Sequence, residues 1–170
     1  MSIVYTIGYE GTDIERFVAT LKCVGIAVLA DVRAVAISRK KGFSKSRLKA
    51  HLTEEGITYT HYVELGDPKP GRDAARAGDY DRFRTIYARH LAGADPQAAI
   101  EAIAEIARNA PTCLLCFERD PNVCHRSMIA DQLVSVGLKS FHLFGDNPNQ
   151  YVRHASKLPR RNIGQGVTAA

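Results

Sequence analysis

The chain has 170 residues and a mass of 18.7 kDa, enough for one hydrophobic core, since two domains of this total length would each be small. With 45% hydrophobic and 24% charged residues, the composition excludes a disordered, collagen-like or purely heptad chain. The net charge is +5, but Arg153, Lys157, Arg160 and Arg161 supply +4 of it in the last twenty residues, so the body is nearly neutral.

Ile3 to Gly8 is an apolar, β-branched run and reads as a strand. Thr12 and Glu15 then form a capping box for a helix carrying Ile14, Phe17, Val18 and Leu21 at helical spacing, which Gly25 ends. Ala27 to Val32 reads as a buried strand, Ser44 to Glu55 as a helix closed by Gly56, and Ile57 to Leu65 as a third strand. Gly66 to Gly78, rich in Pro and Gly, reads as a long loop and a candidate lid. Phe83, Ile86, Tyr87, His90 and Leu91 recur at helical spacing, and Asp95-Pro96 is expected to cap a helix running to Asn109. Thr112 to Phe117 is a strand, Cys124 to Val136 a helix and Ser140 to Phe144 a last strand.

This alternation predicts an α/β fold, a three-layer α/β/α sandwich around a mainly parallel sheet of about five strands. Residues 1–145 are expected to form the single domain and 146–170 a basic C-terminal extension, partly loose. Apolar runs such as Ile26 to Ala30 fall far short of the ~20 residues of a membrane-spanning helix, and Met1 to Gly8 lacks a basic leader. A cytoplasmic protein without a membrane partner is expected. Four cysteines are too few for a disulfide scaffold, so each position counts separately.

Ligands of open parallel sheets bind at the carboxyl ends of the strands. Those ends here deliver Glu10, then Asp31 and Arg33, then Glu64 to Asp67, and finally Cys116, Glu118, Arg119, Cys124, His125 and Arg126. Cys124 stands at a helix start, where free N–H groups and nearby cations favour a thiolate. It is a candidate nucleophile, with Glu118 or His125 to move a proton and Arg126 to hold an anion. A structural polar network is the competing reading of the same segment, and redox or metal use of Cys116 with Cys124 is another. Zinc on Cys116, Cys124 and His125 has acceptable ligand types, but the spacing matches no usual zinc pattern, and no other cofactor is expected. Cys124-His-Arg is too tight for a rhodanese or tyrosine-phosphatase loop. Asp31 and Arg33 share one side of an extended segment and can pair or bind ligand.

Arg33 to Lys49 holds seven cations and no acid, and Arg39, Lys45 and Arg72 add positive charge around the same edge. The expected partner is an anionic small molecule or a nucleic acid. An enzyme on an anionic nucleotide or nucleic-acid substrate leads, a Cys- or carboxylate-dependent hydrolase or transferase, and the alternatives are a non-catalytic nucleic-acid-binding module and a redox- or metal-responsive protein using Cys116 and Cys124. Gly8 and Gly11 read as turn glycines, since the dinucleotide fingerprint is missing. His51, His61, His90, His142 and His154 read as polar filler, and Cys23 and Cys113 as packing residues.

Taken in order, Thr6-Ile-Gly-Tyr-Glu-Gly11, Asp31-Val-Arg33, Ser38-Arg39, Gly42-Phe43-Ser44, Gly56-Ile-Thr-Tyr59, Leu65-Gly66, Cys116-Phe-Glu118 and Cys124-His-Arg126 resemble the domain-of-unknown-function 488 family. The resemblance spans about Ile3 to Phe144. It implies a small cytoplasmic prokaryotic α/β domain and brings no settled reaction with it. It singles out Glu10, Asp31, Arg33, Arg39, Glu118, Cys124, His125 and Arg126.

Overall fold

A computed structural model describes residues 1–153. Five strands, β1 (Ile3–Gly8), β2 (Val28–Asp31), β3 (Thr58–His61), β4 (Thr112–Cys116) and β5 (Lys139–Phe144), form one all-parallel sheet in the order β3-β2-β4-β1-β5. Among the described residues seven α-helices cover it: α1 (Ile14–Val24), α2 (Lys45–Glu54), α3 (Lys69–Arg76), α4 (Tyr80–Leu91), α5 (Ala94–Asn109), α6 (His125–Ser135) and α7 (Asn149–Arg153). This is the expected three-layer sandwich.

Alternation along the strands splits the core in two. Ile3, Tyr5 and Ile7 of β1 join Cys113 and Leu115 of β4 against Phe17 and Leu21 of α1 and Leu48 and Leu52 of α2. Val4 and Leu114 face the other way, onto Ile100 and Ile103 of α5 and Ile129 and Leu133 of α6. Chain leaving β2 therefore runs to β3 through α2 on one face, and chain leaving β4 runs to β5 through α6 on the opposite face. β2 and β4 are neighbours, so their loops diverge and leave a crevice at their carboxyl ends.

Several local expectations change. The cap of α1 is Asp13, whose Oδ1 accepts from the Arg16 N–H at 2.8 Å. Thr12 is already committed, its buried hydroxyl donating to the Gly145 carbonyl at 2.6 Å. Helix α5 starts one residue before Asp95, with Gly93 as the cap, and Pro96 sits in the first turn, where its missing N–H costs nothing. The third strand ends at His61, and Val63–Leu65 is a 3₁₀ turn.

The largest change is α3, which occupies most of the expected loop. Pro70 lies in its first turn, and buried Gly71 sits close to Phe83 and Ile86 of α4, so a composition that reads as loop instead supports a close helix pair. After Gly145 the chain continues into the fold. Tyr151 is buried against the α1 face, and its hydroxyl accepts from the Phe144 N–H at 2.7 Å. His154 and the remaining basic tail lie outside the described residues. Among the described residues no helix is long and apolar enough to cross a membrane.

Candidate active site

A cavity of about 720 Å³ lies at the crevice between the ends of β2 and β4. Glu10 reaches it from the end of β1, Arg33, Ala34 and Val35 from β2, and Cys116, Phe117 and Glu118 from β4; His125 comes from α6, and Asp67, Arg72, Arg76 and Tyr80 from the α3 side. Two glycines let these loops meet. A Cβ on Gly8 would collide with the carbonyl oxygen of Glu118, and one on Gly66 with the Ala34 backbone. Gly8 is thus a close-approach glycine, whereas Gly11, at φ 78°, is a turn glycine.

Asp31 and Arg33 form the rigid floor on the β2 side. Arg33 donates through Nε to Asp31 Oδ1 at 2.9 Å and through Nη2 to Oδ2 at 2.7 Å, while Tyr59 Oη donates to Oδ2 at 2.5 Å. Arg33 Nη1 donates to the Phe43 carbonyl at 2.7 Å, so most of its N–H groups are spent inside the protein. Burial opposes its charge, but the Asp31 carboxylate outweighs that and holds the guanidinium pKa up. Burial and the same carboxylate push Tyr59 up.

Arg126 organises the β4 side. It is fully buried, and its Nη1 donates to Cys116 Sγ at 2.8 Å and to the Glu118 carbonyl; Nε donates to Thr6 Oγ1 at 3.2 Å and Nη2 to the Arg119 carbonyl at 3.0 Å. Among the described residues no carboxylate forms an ion pair with it. Burial pushes its pKa down to about 10, which still leaves it charged at neutral pH. Glu118 Oε2 is 3.2 Å from Cys116 Sγ, and burial raises the pKa of this carboxyl.

Cys124 caps α6, its Sγ accepting from the Arg126 N–H at 3.5 Å. It is buried and does not line the cavity. Its Sγ is in direct contact with that of Cys116, as in a disulfide, with the Cα atoms 7.6 Å apart. His125 Nε2 is 2.7 Å from the Val32 carbonyl, which can only accept, so the ring proton belongs on Nε2. Nδ1 then turns a lone pair toward Cys124 Sγ at 3.8 Å.

The predicted residues therefore divide. Glu118, His125, Glu10, Arg33 and Arg72 line the cavity; Asp31, Arg126 and Cys124 lie behind it; Arg39 and Lys45 are exposed and do not reach it. Asp67, from the expected Glu64 to Asp67 strand end, lines the cavity, whereas Arg76, Tyr80 and Phe117 carry no sequence signal as ligands, because reading α3 as a loop hides the i,i+4 pairing of Arg72 with Arg76. Tyr59 was present only as part of a motif. Three histidines expected to be filler brace loops or strands: His61 and His90 each contact a backbone carbonyl, of Arg33 and Glu64, through Nε2 at 2.8 Å, and His142 Nδ1 is 2.6 Å from Thr6 Oγ1. Cys113 packs in the core as expected, but Cys23 is exposed.

A family description, domain of unknown function DUF488, matches residues 13–133. The chain belongs to the DUF488 family. No curated protein and no solved structure matches it. The match contains Asp31, Arg33 and the whole Cys116 to Arg126 segment, and begins after the β1 motif. For this DUF488 member, donor atoms that a metal could use converge within 4.8 Å on Cys116, Glu118 and Cys124, with Glu118 in the place expected for His125. The Arg126 guanidinium against Cys116 Sγ opposes a dication at that point.

Proposed function

We propose that this protein is a thiol-dependent enzyme acting on an anionic substrate in the cavity at the β2–β4 crevice. Cys116 is the reacting sulfur. The observation that carries this reading is the buried Arg126 guanidinium, which donates to Cys116 Sγ at 2.8 Å and has no carboxylate partner among the described residues. An unpaired buried charge costs several kcal/mol. In the reduced protein a Cys116 thiolate would supply that anion, and the guanidinium against its Sγ favours the reactive form. Glu118, whose neutral form burial favours, stands 3.2 Å away to protonate a leaving group. Arg72, fixed by a 2.6 Å bond to the Asp67 carbonyl, and Arg76 one turn later give the cavity an anion-binding wall. Exposed Phe117 and Tyr80 add flat apolar faces beside it, a combination suited to a nucleotide.

The test is alkylation of the reduced protein by iodoacetamide across pH, with Cys116 followed by peptide mass spectrometry. Cys116 is expected to react with an apparent pKa well below the ordinary ~8.5 of a thiol. A midpoint at or above the ordinary value would remove the nucleophile. The second reading, a polyanion-binding module, rests on exposed Arg39, Lys41, Lys45, Arg47 and Lys49 around the start of α2. It requires single-stranded or duplex DNA to bind with a steep salt dependence, and a flat response removes it.

A further inference from the structure

We propose that the protein reduces small anionic disulfides, with Cys116 attacking and Cys124 resolving. This rests on the reading of Cys116 as the reactive sulfur. Cys124 is equipped as a nucleophile: it has the helix N-terminus at its sulfur and the His125 Nδ1 lone pair beside it. Yet it does not line the cavity, and the electrophile within its reach is Cys116 Sγ, which it touches. Attack on a sulfur is productive only when that sulfur carries a leaving group. A thioester or thioether on Cys116 would present carbon on the cavity side, away from Cys124. A mixed disulfide on Cys116 presents a sulfur with a thiolate to expel, and an incoming thiolate in line resolves it.

The steps balance. The Cys116 thiolate attacks one sulfur of R–S–S–R, forming Cys116–S–S–R and expelling the first thiolate, which takes the Glu118 proton. His125 Nδ1 takes the Cys124 proton, and the Cys124 thiolate attacks Cys116 Sγ. The second thiolate leaves and receives that proton from His125. Two electrons have passed from the protein to the substrate, and Cys116–Cys124 is a disulfide. An external dithiol reductant restores the pair. The Arg72 and Arg76 wall selects R groups carrying carboxylate or phosphate.

The probe is 5,5′-dithiobis(2-nitrobenzoate), an anionic aromatic disulfide, with the full chain carrying Cys23→Ser to remove the exposed thiol. After reduction and desalting, this protein should release about two equivalents of thionitrobenzoate and keep no adduct. Peptide mapping should then find Cys116 joined to Cys124. Adding Cys124→Ser should halve the release and leave a stable adduct on Cys116. Persistent adducts on Cys116, or on both cysteines, in the Cys23→Ser protein overturn the resolving role while sparing Cys116 as nucleophile. No label on Cys116 in either protein overturns both readings. Should Cys124→Ser fail to fold, mapping of the Cys23→Ser protein alone decides between disulfide and adduct.

Discussion

Arg126 sets the chemistry of the site through how its five donors are placed. Replacing it with lysine keeps a charge but loses the planar fork that reaches Thr6, Cys116 and two carbonyls together. Each charge-assisted bond lost costs about 1.5–3 kcal/mol, so Arg126→Lys should lower stability measurably in urea. It should also slow alkylation of Cys116 near neutral pH by about tenfold, equivalent to about one pKa unit. Undiminished alkylation in a folded Arg126→Lys protein would show that this guanidinium does not set the thiol. Asp31 offers a contrasting case. Asp31→Asn strips the buried Arg33 of its carboxylate, and breaking such a pair costs about 3–5 kcal/mol. The loss should appear as a lower urea midpoint with the slope unchanged, and a midpoint within error of wild type would contradict the pairing.

At the scale of elements, α3 carries specificity. Arg72 and Arg76 point into the cavity from successive turns of a helix anchored by Gly71 beneath Phe83 and Ile86. The double substitution Arg72→Ala and Arg76→Ala should leave the fold intact, because Arg76 is largely exposed with a weak 3.6 Å Asp73 contact and Arg72 gives up a single half-buried bond to the Asp67 carbonyl. Reaction with 5,5′-dithiobis(2-nitrobenzoate) should slow about tenfold relative to neutral 2,2′-dithiodipyridine, the effect of about 1.4 kcal/mol of lost anion binding. Equal slowing of both probes would assign α3 a structural role only. This helix was also the element least legible in the sequence. Its Pro and Gly content signals a loop when only local propensity is weighed, and what makes it a helix is packing on α4, a non-local fact. The strands were legible because β1, β2 and β4 are buried on both faces and read as continuous apolar runs. The site was partly legible for the same reason, since strand ends locate the edge. Which sulfur faces the cavity was not, because it depends on Arg126 reaching back from α6 to the end of β4.

Across the whole molecule, one line of hydrogen bonds ties the sheet edge to the site. His142 Nδ1 on β5 lies 2.6 Å from the Thr6 hydroxyl on β1, Thr6 Oγ1 accepts from Arg126 Nε on α6, and Arg126 donates to Cys116 on β4. Burial, and then the positive charge of Arg126, lower the His142 pKa from its ordinary 6.5. The unfolded chain therefore binds this proton first as the solution is acidified. Stability from neutral His142 is complete above pH ~6.5 and is lost as pH falls from there through the folded-state pKa. Glu118 works with the opposite sign, because its raised pKa gives stability that is present in acid and lost as pH rises above its ordinary 4.5. The two slopes oppose each other between these values, so the wild-type curve alone separates neither. The difference between wild type and His142→Gln cancels the Glu118 contribution. Urea unfolding at pH 7.5 and pH 5.5 should show the wild type losing stability relative to His142→Gln on acidification, and a constant difference would mean that His142 titrates alike in the folded and unfolded chains.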